Sequence, residues 1–452
     1  MTIAANPLRP PPGAPRPYHF PPFSRHRLAN GLTVWLVPVE GATLASVHLL
    51  ADAGAAAEDE GQGGVAALTA QLLVTGTKRL DAAAFAEATE RLGIEMSSES
   101  SWDSSRAAFQ ALPDQLEPGL ALLAEMLREP RFDPGEFERL RAERLTDILQ
   151  ARSEPGRLAD ECFIAHLYDA DTPYHRPSAG LPETVEALSV ADVQAHHASH
   201  YAPGLAHLIV AGAFDAELVL RAAERELGTW NGSGPGHRAI TPRPAGGRRV
   251  VIVDRPGSVQ SELRIGRIGI DRFDPRYFPA IVETTLLGGM FWARLPRRLR
   301  EELGYTYSIR CGFDPRRAAG PFSTSTAVQT EVTAPAIAET LALLEAAPQA
   351  PPEDDELDQA RTYQVGVFPL RFETTFGIAA AIEPIAIYGL PDDFWHGYRA
   401  QSEAVDGLQA QQAAAALIDP GELLVLAVGD ASAVRADVEA LGIGPVEVIA
   451  AP

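Results

Sequence analysis

The chain has 452 residues, 46% of them apolar and 22% charged, with a formal net charge of −22. This length exceeds one ordinary core and calls for two domains or more, while the composition excludes a disordered or fibrous chain. So acidic a surface repels phosphate and excludes nucleic acid as a partner; it serves solubility, or attracts basic peptides.

The first residues read MTIAANPLRPPPGAPRPYHFPPF. They lack a charged segment followed by an apolar one, so no secretory signal is expected. No apolar run is long enough to span a bilayer. The expectation is a cytoplasmic chain with no membrane partner. Residues 1–20 form a Pro-rich arm, extended along the folded body or along a partner.

The strand GLTVWLVPV starts at Gly31, and the alternating ASVHLLADAG follows from Ala45. Period-two alternation predicts a half-buried strand. Next comes GQGGVAALTAQLLVTGTKR, Gly61–Arg79. Its Gly-rich lead-in opens onto a helix over about 63–75 with Leu68, Leu72 and Leu73 turned inward. From Leu116 the sequence predicts an apolar helix, a Pro-containing turn at FDPGE, and a second helix whose acidic start suits the positive helix end. DVQAHHASHY brings His196, His197 and His200 together, with His196 and His200 on one helix face. That spacing can hold a metal, but no acid stands between them, and packing is the expected role. His175 is expected to be a loop residue. YAPGLAHLIVAGAFD, from Tyr201, closes the half with a Pro-Gly turn into a buried strand.

The pattern then repeats after about 200 residues, a period far longer than that of a solenoid. RRVVIVDRP starts at Arg248, SELRIGRIGI at Ser261, and a helix is expected around 276–288. A helix pair follows from Ile337, and IDPGELLVLAVGD from Ile418 repeats the closing strand. The expected fold class is α+β: two tandem similar domains, 21–230 and 250–452, each a mostly antiparallel sheet packed with helices. The Gly/Pro/Arg segment 231–249 is expected to be a mobile linker across which the halves face each other. Cys162 and Cys311 stand far apart, form no disulfide framework and no metal pair, and are expected to be buried or idle thiols.

These stretches carry a resemblance. LANGLTVWLVP, GGVAALTAQLLVTGT, YAPGLAHLIVAG and LLGGMFWARLPRRLREELGYTYSI together resemble the pitrilysin/insulinase-type metallopeptidases, the inverzincin family that includes mitochondrial processing peptidases. The resemblance runs from about Pro21 to Val448. It implies that each chain forms half of a clam-shell chamber. In active members the first-half helix carries H-x-x-E-H, two zinc-binding histidines and a glutamate base. Here those places fall on Ala67, Ala70 and Gln71, and the later carboxylate ligand falls near Asp147. Alanine has no lone pair to give, and a glutamine amide is a poor ligand and no base. This chain is therefore expected to hold no cofactor.

The second half carries LREELGYTYSI, which resembles the family's L-R-x-x-x-G-x-x-Y. The resemblance makes Arg300 and Tyr307 donors to the substrate carbonyl, acting in trans with a partner chain. Tyr305, Gly288 and Gly289 are candidate substrate-binding positions, the glycines through close backbone approach to a peptide. The implied function is a zinc-less subunit of a heteromeric zinc peptidase. Its partner is a homologue bearing H-x-x-E-H and the zinc, and its substrate a peptide or unfolded polypeptide. Two alternatives stay open: a structural or assembly protein, as in the core subunits of a respiratory complex, and a peptide-binding homodimer without peptidase activity. FPLRFETTFGIAAAIE, from Phe368, is assigned only packing or interdomain ion pairing.

Overall fold

A computed structural model describes residues 16–452. The first sheet comprises β1 (Ser24–Arg27), β2 (Thr33–Pro38), β3 (Ala45–Ala51), β4 (Ser97–Ser100), β5 (Ser105–Ala111) and β6 (Ala206–Gly212), in the order β1-β2-β6-β3-β5-β4. The second comprises β7 (Arg249–Asp254), β8 (Gln260–Ile268), β9 (Ile309–Phe313), β10 (Pro321–Gln329), β11 (Leu424–Gly429) and β12 (Val446–Ala450), in the order β12-β7-β11-β8-β10-β9. Five strands correspond one to one, so the sequence repeat is a repeat of topology. The sixth differs: β1 joins β2 antiparallel from the N-terminal side, whereas β12 joins β7 parallel from the C-terminal side. The β2–β6, β7–β11 and β12–β7 pairs are parallel and the remaining pairs antiparallel, which makes both sheets mixed and mostly antiparallel.

Each sheet has an apolar residue set on either face. Val34, Leu36, Val47, Leu49, Leu208 and Val210 face the first domain's own helices. Trp35, Val37, Leu50, Ile209 and Ala211 face the other way, and what covers them comes from the second half: helix Thr375–Tyr388, with Phe368, Phe372 and Tyr398. The exchange is reciprocal. Helix Pro155–Leu167 of the first half lies on the outer face of the second sheet, against Val251, Val253, Leu424, Leu426 and Val428. This corrects the expectation for ASVHLLADAG. β3 is buried at every residue, not half-buried, because a helix from the other half covers its outer face.

Polar side chains lock both exchanged helices. Glu383 of helix Thr375–Tyr388 accepts from His48 Nδ1 (2.6 Å) and Arg106 Nη1 (3.0 Å). At the corresponding place in the second sheet Arg264 donates to Asp160 of helix Pro155–Leu167 (2.6 Å) and to the Gly156 carbonyl (2.9 Å). The correspondence is positional: His48 pairs with Ile209 of β6, and Arg264 with Leu426 of β11. Asp103 adds a third tie, accepting from Tyr388 Oη and from the Arg317 backbone N–H, both at 2.9 Å.

The joint 231–249 is largely without regular structure, as its composition predicts, but it is not free of the body. Ala245 N–H donates to Leu167 O (3.0 Å), Asp169 N–H to Arg243 O (2.9 Å), and Ile240 packs against the seam. The mobile linker expected from composition is thus a strap pinned along the exchanged helix, since the packed halves leave it a defined path. Residues 1–15 of the Pro-rich arm lie outside the described residues. Beyond them Tyr18, Phe20 and Phe23 dock on the body, with Phe20 edge-on to Phe372 and Phe23 beside Trp35. No single helix among the described residues is long and apolar enough to cross a membrane.

Candidate functional site

The helix that resembles the metal-binding one runs Val65–Leu73. Leu68, Leu72 and Leu73 sit in the first core as the periodicity predicts. Its start is fixed by backbone contact: a Cβ on Gly64, whose φ is +97°, would lie 2.8 Å from the Ala179 carbonyl oxygen. The structure adds a residue that sequence reasoning missed. Glu58, fully buried, accepts from Gly64 N–H (3.0 Å) and Ala66 N–H (2.9 Å) and pairs with Arg176 (2.8 Å). It thereby caps the helix from outside, where the amide dipoles favour an anion. Burial pushes its carboxyl up to about 7, against the pull of Arg176 and the two N–H groups. The sequence offered three acids in this stretch, Glu58, Asp59 and Glu60, with nothing to choose among them.

Ala67 and Ala70 are buried, and the Oε1 of Gln71 is buried without a hydrogen-bond partner. Asp147 stands exposed on helix Pro134–Ser153, which packs on the Val65–Leu73 helix. These residues do not fit a catalytic zinc: two of the four positions carry no donor, and one carboxylate beside an amide cannot replace two imidazoles. The histidine group resolves as packing. His197 Nε2 meets the Leu127 carbonyl at 2.9 Å, His196 Nε2 meets that of Ala53 at 3.3 Å, and His200 stacks beside His196 with centroids 4.7 Å apart. Burial lowers the His196 and His197 pKa values to about 4, so both are neutral near pH 7. His175 caps its own turn through the Thr172 carbonyl (2.8 Å). Cys162 and Cys311 are free and buried, and burial pushes both thiols up, Cys162 to about 11.

The second-half candidates occupy one irregular stretch. Helix Tyr277–Thr284 widens into a π-type turn at Thr285–Gly289, and another wide turn spans Arg297–Glu302. Such turns interrupt the regular ladder and recur at functional sites. Arg294 is held by Glu356 (2.6 Å) and Arg298 by Glu339 (2.8 Å), each from a separate helix. Arg300 is held differently. Its carboxylate partner is its own neighbour Glu301 (2.7 Å), and its guanidinium lies 3.7 Å over the Phe291 ring. A second guanidinium nitrogen donates to the Phe291 carbonyl (3.3 Å), and an ion pair between sequence neighbours is weak, so no carboxylate of another helix fixes Arg300. Tyr307 is 92% exposed, in the turn leading to β9. Phe291 and Trp292 are 60% and 52% exposed nearby in sequence. Tyr305 is half-buried, packed against the second core, with its N–H on the Leu299 carbonyl (2.8 Å).

The glycines divide. Gly289 is exposed. Gly288 is buried, and a Cβ there would stand 2.6 Å from the Cys311 Cβ and 2.8 Å from its amide nitrogen. The close approach for which Gly288 is needed is to its own strand β9, which corrects the expectation that it serves a bound peptide.

Two exchanged-helix domains, one carrying a helix without metal donors at Ala67 and Ala70 and the other a neighbour-paired Arg300 and an exposed Tyr307, define a non-catalytic shell of the peptidase type. Comparison with known proteins agrees. The insulinase family of M16 peptidases matches residues 34–175, and the peptidase M16 inactive domain matches residues 187–363. The chain is 24% identical to the non-peptidase homolog YmxG of Helicobacter pylori, over 77% of this chain and 80% of that one. It is 25% identical to the β subunit of the mitochondrial-processing peptidase of Blastocladiella emersonii, over 58% and 56% of the two chains. Among solved structures, a peptidase M16 inactive domain from Pseudomonas fluorescens superposes with a TM-score of 0.84 at 25% identity, covering 90% of this chain and 98% of that one. A protease from Helicobacter pylori superposes with a TM-score of 0.83 at 20% identity, covering 91% and 100%, which shows the shared fold. The chain belongs to the M16 peptidase family, as a member without the metal ligands.

Proposed function

We propose that this chain is the zinc-less subunit of a two-chain peptidase. The observation that carries the reading is a split: two of the first half's four metal-ligand positions, Ala67 and Ala70, carry no donor, while the second half presents Arg300 in a weak intrachain pair and Tyr307 almost wholly to solvent. A partner homologue with H-x-x-E-H holds the zinc and the base. This chain closes the chamber and turns the Arg300 guanidinium and the Tyr307 hydroxyl toward the substrate carbonyl, where both donate as charge gathers on oxygen. Tyr305 and Gly289 line the approach. Phe291 and its neighbour Trp292, large aromatics left exposed beside Arg300, mark a surface that acquires a partner or ligand. The relatives named above include a subunit of a processing peptidase, which supports assembly with a homologous chain.

The test follows cleavage of a quenched fluorescent peptide by this chain alone, by the H-x-x-E-H homologue alone, and by the two mixed, with zinc counted on each. The expected result is activity only in the mixture, reduced about a hundredfold or more by Arg300→Ala, in line with the loss of an oxyanion donor. Tyr307→Phe should reduce it too. An inert mixture across varied peptides would turn the reading toward a structural protein, and zinc-dependent cleavage by this chain alone would overturn it.

A further inference from the structure

A cavity of about 300 Å³ stands beside the emptied metal helix. Trp102, Ile148, Ile164 and Pro177 give it an apolar wall, and Arg144 and Asp147 a polar one. Asp147 is the position that the resemblance gives to the metal's carboxylate ligand. Ala179 and Gly180, also on the wall, pack backbone against backbone on Gly63 and Gly64 at the start of helix Val65–Leu73.

Most charges on this wall are already claimed. Glu161 is held by Arg152 at 2.7 Å, and Asp160 by Arg264 at 2.6 Å. Arg157 lies largely in solvent, 3.8 Å from Glu154. Arg144 is the exception. Its Nε is buried with no hydrogen-bond partner. Burial lowers its pKa, and Asp147 and Glu143 offset this only in part. Glu143 is itself engaged by Arg139 at 3.0 Å, and Asp147 is exposed to water. Arg144 is thus a partly buried guanidinium whose one closed-off nitrogen has no acceptor and whose remaining nitrogens are open to an incoming anion, which would add the missing charge partner.

We propose that this cavity is a carboxylate-binding subsite, in which Arg144 holds the free C-terminal carboxylate of a peptide whose last side chain is apolar. A C-terminal residue carries its carboxylate and its side chain on one Cα. It can therefore meet a guanidinium and an apolar wall a few ångströms apart, whereas an Asp or Glu side chain brings no apolar group of its own. Guanidinium–carboxylate geometry also permits paired hydrogen bonds. The inference does not rest on pairing with a zinc-bearing chain.

The test is fluorescence anisotropy with the full chain and three labelled peptides: one ending in Ala-Leu with a free carboxylate, its C-terminal amide, and an amidated peptide with an internal Glu. The free acid should bind about tenfold or more tightly than the amide, the loss expected for one charge-assisted hydrogen bond. Arg144→Gln should bring the acid down to the amide's level, and Arg144→Lys should keep part of the difference. Equal binding of acid and amide overturns the proposal, as does an Arg144→Gln chain that keeps the acid within twofold of wild type, or no binding of any peptide at millimolar concentration. If the internal-Glu amide matches the free acid, the C-terminal assignment is wrong. Should Arg144→Gln fail to fold, the acid-against-amide pair on the wild-type chain still decides.

Discussion

Glu383→Ala tests whether the exchanged helix is locked onto the first sheet. One carboxylate oxygen accepts from His48 Nδ1 at 2.6 Å and from Arg106 Nη1 at 3.0 Å. The two donors differ in what they can do afterwards. Arg106 is 23% exposed and keeps a second partner in Glu99, so water and that acid replace much of the loss. His48 is wholly buried, its Nε2 already lacks a partner, and the Phe376 ring sits 4.4 Å from its own. Orphaning such a donor costs about 1–3 kcal/mol, and a hydrogen bond to a charged group contributes about 1.5–3 kcal/mol. With the Arg106 loss mostly compensated, the expected destabilisation is about 3 kcal/mol. Denaturant midpoints at neutral pH measure the total. A double-mutant cycle with His48→Ala should return a coupling of about 1–2 kcal/mol. Hydrogen exchange should loosen at helix Thr375–Tyr388 and β3 while β8–β10 stays protected. A loss below about 1 kcal/mol, a coupling below the roughly 0.3–0.5 kcal/mol expected of independent sites, or uniform loosening would refute the seam argument.

Gly288→Ala should cost about 1–3 kcal/mol, the usual penalty of overpacking, because its Cβ would meet Cys311 at 2.6 Å; urea unfolding checks it, and an unchanged midpoint refutes the close approach to β9. Glu283 is fully buried with Oε1 unpartnered, and burial raises its carboxyl to about 8. Its folded pKa exceeds the unfolded one, so its stabilising contribution is complete at low pH and is lost as pH rises from about 4.5 to about 8, at most about 1.4 kcal/mol per pH unit. Glu283→Gln should flatten stability over that window and gain most near pH 8; midpoints measured from pH 5 to 8 that keep the wild-type slope would refute it.

Much of the fold was legible because the repeat is a repeat of periodicities, and periodicity reflects burial. The helices near 63–75 and 276–288, both helix pairs and both closing strands stand where the apolar spacing put them. The exchange was not read, although the sequence carried its trace. VWLV in β2, LIVA in β6, VVIV in β7 and LVLAV in β11 are continuous apolar runs, the mark of strands buried on both faces. What no periodicity states is which helix supplies the second cover, since the contacts that fix it join residues 104 positions apart at Arg264–Asp160 and 335 apart at His48–Glu383. The site was legible at the level of missing donors. Its charge balance was not: that the Arg144 Nε has no hydrogen-bond partner and that Glu58, rather than Asp59 or Glu60, caps the helix depend on neighbours brought from residues 134–153 and 176.

The same contacts explain how this frame could lose its ligands without losing its shape. Helix Val65–Leu73 is held by Leu68, Leu72 and Leu73 in the core, by Glu58 and Arg176 at its start, and by the backbone contact of Gly64 with Ala179. None of these involves the positions that bind metal in active relatives. Replacing large polar ligands by Ala67 and Ala70 removes side chains that would need partners for their polar atoms, and leaves methyl groups that a buried helix accommodates at no such cost. The second half is equally independent of the metal, because Arg294 and Arg298 anchor the Arg300 segment to helices of its own domain. Stability and metal chemistry are therefore separable in this architecture. A chain can carry alanine where active relatives bind metal and still pack each domain under a helix of the other.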